Sequence, residues 1–254
     1  MRSPRRRTHT LNLLGALSVA LLAGCNSGGS SSAAPTSSPA PNGAGSLAAQ
    51  AAQSGPGHES LVVYVDWVEG QQPAVATLDL LERRLGEHLN KPGGVTVRYG
   101  GALGGALRDV YDEAALASLA RTAPPRESRP LDTLSFQVIF VNGAAAASAD
   151  EDDRLGVAFS ASQVAVFEET VLAHAPRGEQ LEAAVALHEL GHLLGLVNLG
   201  APLTAPHADP LNLVHCRNSG CLMTARSNNW GLRRDVDPDF CSDCKADLRA
   251  LGGR

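Results

Sequence analysis

His188-Glu189-Leu190-Gly191-His192-Leu193-Leu194-Gly195-Leu196 is the stretch on which the reading of the whole chain turns. On a helix, residues four apart project from one face, one turn above the other, so the two imidazoles can grip a single metal ion. Glu189, beside the first ligand, can hold a metal-bound water as its general base, and zinc is the usual occupant of this H-E-x-x-H pattern. Gly195, three residues past the second histidine, is placed to end the helix and turn the chain back. Residues 179–187 are helical in composition, with acids first and apolar Leu181, Ala184, Val185 and Leu187 later. The bland reading is a buried helix with satisfied core histidines. Two histidines and a glutamate in an apolar helix are costly to bury without a function, which favours the metal.

The chain begins with Arg2, Arg5, Arg6 and Arg7 and a short apolar run over 11–23, the pattern of a secretory signal rather than a membrane span. Leu22-Ala23-Gly24-Cys25 resembles the lipobox of bacterial lipoproteins. That resemblance implies a signal peptide over 1–24, lipidation of Cys25 and a protein anchored in the cell envelope. An ordinary signal peptide with an incidental cysteine is the competing reading. Residues 26–57 are mostly Ser, Gly, Ala, Pro and Gln, so 25–57 is expected to be a lipidated, flexible tether and 58–254 the folded domain. The formal net charge is −5, and without the four leading arginines 17 basic residues face 26 acidic ones, a balance of −9. Such a domain gives no reason to expect nucleic acid or an anionic surface as partner.

Within the domain, residues 61–68 and 95–99 read as strands around a helix over 74–89 with Leu78, Leu81 and Leu85 on one stripe. A shorter helix over 112–121 stops at Pro124 and Pro125, and 134–141 is the most apolar strand. Strands alternating with helices predict an α/β domain with a mostly parallel twisted sheet. Two short runs, 155–160 and 163–167, are too close for a crossover helix, so they are expected to pair antiparallel, with the first as an edge strand. The acids at 150–153 lack the glycine-punctuated spacing of a calcium loop and read as a solvated charge run.

A catalytic zinc needs a third protein ligand and an open position. Asn198, in the most compact position for it, is a poor ligand, which leaves His207 and His215. His215 opens the string His215-Cys216-Arg217-Asn218-Ser219-Gly220-Cys221-Leu222-Met223. This string resembles part of the archaemetzincin signature, H-C-x-x-x-x-C-x-M, within the metzincin clan of zinc peptidases. The resemblance implies that His215 is the third ligand, with His207 as second choice, and that Met223 lies in a turn beneath the metal. It also implies that Cys216, Cys221, Cys241 and Cys244 hold a second, structural zinc in a Cys-rich C-terminal subdomain of a metzincin-like zincin domain. The compartment favours two disulfides instead. The chain departs from the family in three ways. Residues 196–214 stand where the family has two, Arg226 stands at a family serine, and the Asp-x-Lys element before the last cysteine pair is missing.

The activity implied is that of a membrane-anchored zinc endopeptidase, with Glu189 as general base and a peptide or protein as substrate. In metzincins an edge strand beside the site pairs with extended substrate, and Gly156, Val157, Ala158 and Phe159 are the candidate strand. The alternative is a zinc-binding lipoprotein on the same fold that is non-catalytic or does not hydrolyse peptides.

Overall fold

The structure is a computed structural model and describes residues 42–126, 130–146, 154–174, 179–225 and 237–254. The predicted signal peptide, Cys25 and the acidic run at 150–153 lie outside them.

Strand β1 (Ser60–Trp67) is a β-branched run buried on both faces, as a central parallel strand requires. It pairs parallel with β2 (Val95–Ala102) on one side and β4 (Thr133–Val141) on the other. β4 in turn pairs parallel with β7 (Gln163–Phe167), and β6 (Gly156–Ala158) closes the sheet antiparallel to β7. The order is β2-β1-β4-β7-β6, so the antiparallel pair expected at the edge is there, while β3 (Val110–Tyr111) and β5 (Ala144–Ala145) pair parallel as a separate two-stranded sheet. Phe159 lies just beyond β6, where its N–H donates to Gln163 O at 3.1 Å and closes the hairpin.

Side chains alternate across the sheet with period two. Val63, Val65, Phe136, Val138, Phe140, Val164 and Val166 enter the main core, which also takes helices α2 (Val75–His88) and α5 (Glu179–Leu193). Ile139, Val141, Ala165 and Phe167 face the opposite side, covered by Leu116 and Leu119 of α3 (Glu113–Ala120). Asp112 caps α3, its carboxylate accepting from Ala115 N–H at 2.7 Å. In the second half of the chain the sequence reading missed two helices. Helix α4 (Glu168–His174) turns directly out of β7, and α6 (Ser242–Ala250) begins at the second cysteine pair. Both are under three turns long, too short for periodicity to show.

Part of the stretch predicted as a tether to Gly57 is folded. Ala48–Ala52 forms a short helix, α1, with Ala48, Ala51 and Ala52 buried. Lys91, itself 2% exposed, donates to the carbonyl oxygens of Gln50, of Gln53 (2.7 Å) and of His58 (2.8 Å). The composition misled because close packing here needs small residues. A methyl group on Gly195 would stand 2.7 Å from Ala48 Cβ, so α1 rests on the turn that ends the metal-motif helix. The folded part therefore includes residues before His58.

Candidate metal centre

Helix α5 is buried along nearly its whole length, and His188 and His192 are 4% and 7% exposed. Each ring is oriented through Nδ1: that of His188 lies 2.7 Å from the carbonyl oxygen of Leu222, and that of His192 3.0 Å from that of Leu196. A carbonyl oxygen only accepts, so both protons sit on Nδ1 and both Nε2 atoms present lone pairs. Those two Nε2 atoms are 3.2 Å apart. Facing lone pairs repel unless a cation lies between them, and two nitrogens on a tetrahedral zinc at about 2.0–2.1 Å stand roughly 3.3 Å apart. Burial, then the nearby His215 ring, holds the His188 imidazole down at about 3, while burial and His188 hold His192 well below its ordinary range. Neutral imidazole is the ligating form.

The third histidine is brought in by the polypeptide beyond the helix. Gly195 (φ 84°) turns the chain, and the insert returns it so that the His215 ring centroid is 5.3 Å from that of His188 and 5.1 Å from that of His192. Ligand nitrogens of the three all lie within 4.8 Å of one another. The approach is braced on both sides. Asp209 N–H donates to His215 O at 2.7 Å, His215 N–H to Asn212 O at 2.7 Å, and Cys216 N–H to Met223 O at 2.7 Å. His207 is placed elsewhere: its Nε2 is 2.6 Å from the buried carboxylate of Asp247 on α6. Asp247, then the Cys216 thiol, raise the His207 imidazole to about 10.

Glu189 is 7% exposed and faces β6. Burial pushes its carboxyl up to about 8, against the opposing pull of Arg154 and the Ala158 N–H. Gly156 makes the approach possible, since a Cβ there would stand 2.7 Å from Glu189 Cγ and 2.9 Å from its Oε1. On the other side of the helix Gly191 does the same for Met223: a methyl group there would overlap the Met223 sulfur and stand 3.1 Å from the Phe240 ring. Met223 is fully buried beneath the histidines' helix.

The four cysteines come together as free thiols. Sγ of Cys216 is 3.8 Å from that of Cys241, and Sγ of Cys221 is 3.6 Å from that of Cys244. These spacings match the roughly 3.8 Å between sulfurs on a tetrahedral zinc at about 2.3 Å and far exceed a disulfide bond of about 2.05 Å. N–H groups are aimed at the sulfurs: Asn218 N at Cys216, Met223 N and Cys241 N at Cys221, and Asn218 Nδ2 at Cys241, each at 3.4 Å. Hydrogen bonds among the sulfurs pull Cys216 and Cys241 down and push Cys221 and Cys244 up, as expected where four thiols compete for few protons. The donor sets thus fit a three-histidine and a four-thiolate metal site.

The whole architecture can be placed among solved structures. An archaemetzincin from Methanopyrus kandleri superposes with a TM-score of 0.51 at 17% identity, covering 76% of this chain and 96% of that one. The fold is that of an archaemetzincin. Two further structures align less closely: an archaemetzincin from Archaeoglobus fulgidus complexed with malonate (TM-score 0.41, 16% identity, 73% and 99% covered) and a zinc-dependent peptidase from Methanocorpusculum labreanum (TM-score 0.48, 16% identity, 73% and 99% covered). No protein-family model and no curated protein matches the chain. In this archaemetzincin-like frame, the reading from sequence lacked the groups that orient or charge the side chains of the site and its surroundings. The carbonyls of Leu196 and Leu222 are backbone atoms and leave no signal in residue type. Arg154 was hidden at the end of an acidic run, and Asp247 by the helix whose start the C-x-x-C motif occupies.

Proposed function

We propose that this chain is a zinc-dependent peptidase in which His188, His192 and His215 hold the metal and Glu189 is the general base. The observation that carries the reading is the pair of Nε2 lone pairs 3.2 Å apart, with His215 alongside and a buried glutamate next to them. Zinc bound there would polarise a peptide carbonyl and make its water acidic enough to attack near neutrality. Glu189 would take the proton from that water and return it to the leaving nitrogen. Among the described residues β6 pairs on one side only, with β7, and its other edge, where the Ala158 N–H meets the Glu189 carboxyl, would take an extended substrate by β-augmentation. Met223 supports the ligand helix from below, and the four cysteines hold a second, structural zinc.

The test is Glu189→Ala. It should keep one zinc on the histidines, because Glu189 is not a ligand, and lose nearly all cleavage of a mixed peptide library. A variant that cleaves as well as the parent would refute the peptidase mechanism. A parent that binds zinc but cleaves no peptide would favour the zinc-binding or non-peptide reading.

We further propose that the protein is exported and anchored to a bacterial membrane through Cys25, on the strength of Leu22-Ala23-Gly24-Cys25 after a basic and apolar leader. Cys25→Ser should abolish labelling by a fatty-acid analogue and release the protein from membranes. Undiminished labelling would exclude the anchor.

A further inference from the structure

Among the buried polar side chains of the insert over 196–214, His207 is one that the proposed reaction does not use. His207 is 1% exposed. Its Nε2 donates to Asp247 Oδ2 at 2.6 Å, and the other oxygen of Asp247 accepts from the N–H and hydroxyl of Thr204 at 2.8 and 2.7 Å. The carboxylate of α6 thereby fastens two points of the insert. His207 Nδ1 is also buried, yet it has no formed hydrogen bond among the described residues. The group it meets is Cys216, whose sulfur interacts directly with the imidazole. Backbone pairing enforces this meeting: Arg217 N–H donates to His207 O at 2.8 Å, and Ala208 bridges antiparallel to Cys216.

A buried imidazole nitrogen without a partner is costly, and the Cys216 sulfur is the group within reach. A metal held by the four cysteines would leave Cys216 as a thiolate, an acceptor opposite Nδ1. A ring set between a carboxylate and a thiolate would donate to both. We propose that His207 is a positioning residue of the four-cysteine metal site, held by Asp247 and donating from Nδ1 to Cys216 Sγ. This rests on the reading that the four cysteines share a metal. Its consequence is that the insert and the cysteine site form one unit. Because Cys216 follows His215, the same bond steadies the third histidine of the neighbouring centre.

Two substitutions separate the two ends of the ring. His207→Asn sets an amide nitrogen near the place of Nδ1, keeping a donor toward Cys216 and losing Asp247. His207→Gln sets it near the place of Nε2, keeping Asp247 and losing the donor to sulfur. The zinc-loaded full chain is treated with a mercurial thiol reagent, and zinc release is followed with a chromogenic chelator. Outer partners of metal ligands are worth about 10–100-fold in affinity. His207→Gln should therefore release the cysteine-bound zinc at least about tenfold faster, with His207→Asn close to the parent. With cobalt in place of zinc, the sulfur-to-metal charge-transfer band should shift in His207→Gln and stay in His207→Asn. The reverse order would show a mere tether to Asp247 and overturn the proposal, as would equal rates in all three proteins. Should both variants fail to fold, Asp247→Asn, which weakens the grip on Nε2, must still release the zinc faster than the parent; an unchanged rate overturns the proposal. A parent with no titratable thiols after unfolding in chelator would refute the shared metal, and the inference with it. That result is seen before any substitution is made.

Discussion

Gly156 lies directly beneath Glu189: a single methyl group at position 156 would stand 2.7 Å from Glu189 Cγ and 2.9 Å from Oε1. The edge strand and the proposed general base are therefore in contact through a residue with no side chain. Gly156→Ala is expected to push Glu189 off its position while leaving the three histidines alone. Displacement of a catalytic group by about 1 Å can cost on the order of 10²-fold. The expected outcome is a loss of that size in kcat with zinc content unchanged, read by peptide hydrolysis and metal analysis on the same sample.

His215 and His207 sit eight residues apart in sequence, yet His215 faces His188 and His192 while His207 is held by Asp247. His215→Ala should lose the histidine-bound zinc and activity together, as should His188→Ala and His192→Ala, because two ligands hold zinc poorly. His207→Ala should keep that zinc, since its Nε2 is committed to Asp247. Metal stoichiometry of the four variants checks this, and a reversal between His207 and His215 would reassign the third ligand.

Lys91 holds the N-terminal segment by three carbonyl oxygens. Lys91→Met keeps the apolar stem and removes the donors, leaving buried acceptors unpaired. A loss on the order of 2 kcal/mol in global stability is expected by denaturant unfolding. Faster proteolysis around residues 42–57 should accompany it, since α1 depends on that grip.

Glu168 is 5% exposed and shares a hydrogen bond with Glu182. Burial, then the charge of Glu182, pushes its carboxyl up to about 8. The folded chain thus keeps a proton that the unfolded chain has released above roughly 4.3. The corresponding stability is fully present below that value and is lost as pH rises through about 8, with a slope of up to about 1.4 kcal/mol per pH unit. Glu168→Gln should match the parent near pH 5 and exceed it increasingly up to pH 8. Denaturant midpoints across that range check the sign, and parallel curves would show that the proton is not shared.

Much of the fold was legible because it rests on local pattern. The β-branched run at 61–68, the leucine stripe of α2 and the alternation across β4 and β7 each declare their burial through spacing alone. The short gap between residues 160 and 163 dictated the antiparallel edge, and His188 and His192 needed only the helical turn to face one point. Four residues of helix rise carry that inference without any long-range contact.

What the tertiary structure alone decided is every relationship that crosses the chain. Nothing in the spacing of His207 and His215 says which one returns to α5; the choice is made by Asp247, 40 residues beyond His207, and by the brace of Asp209 on His215. Free thiols 3.6 and 3.8 Å apart, rather than bonded pairs, depend on where α6 docks against the Met223 turn. The packing of Ala48 on Gly195 was invisible for the same reason. Small residues have no hydrophobic signature of their own, and their worth is set by how closely another segment can approach them.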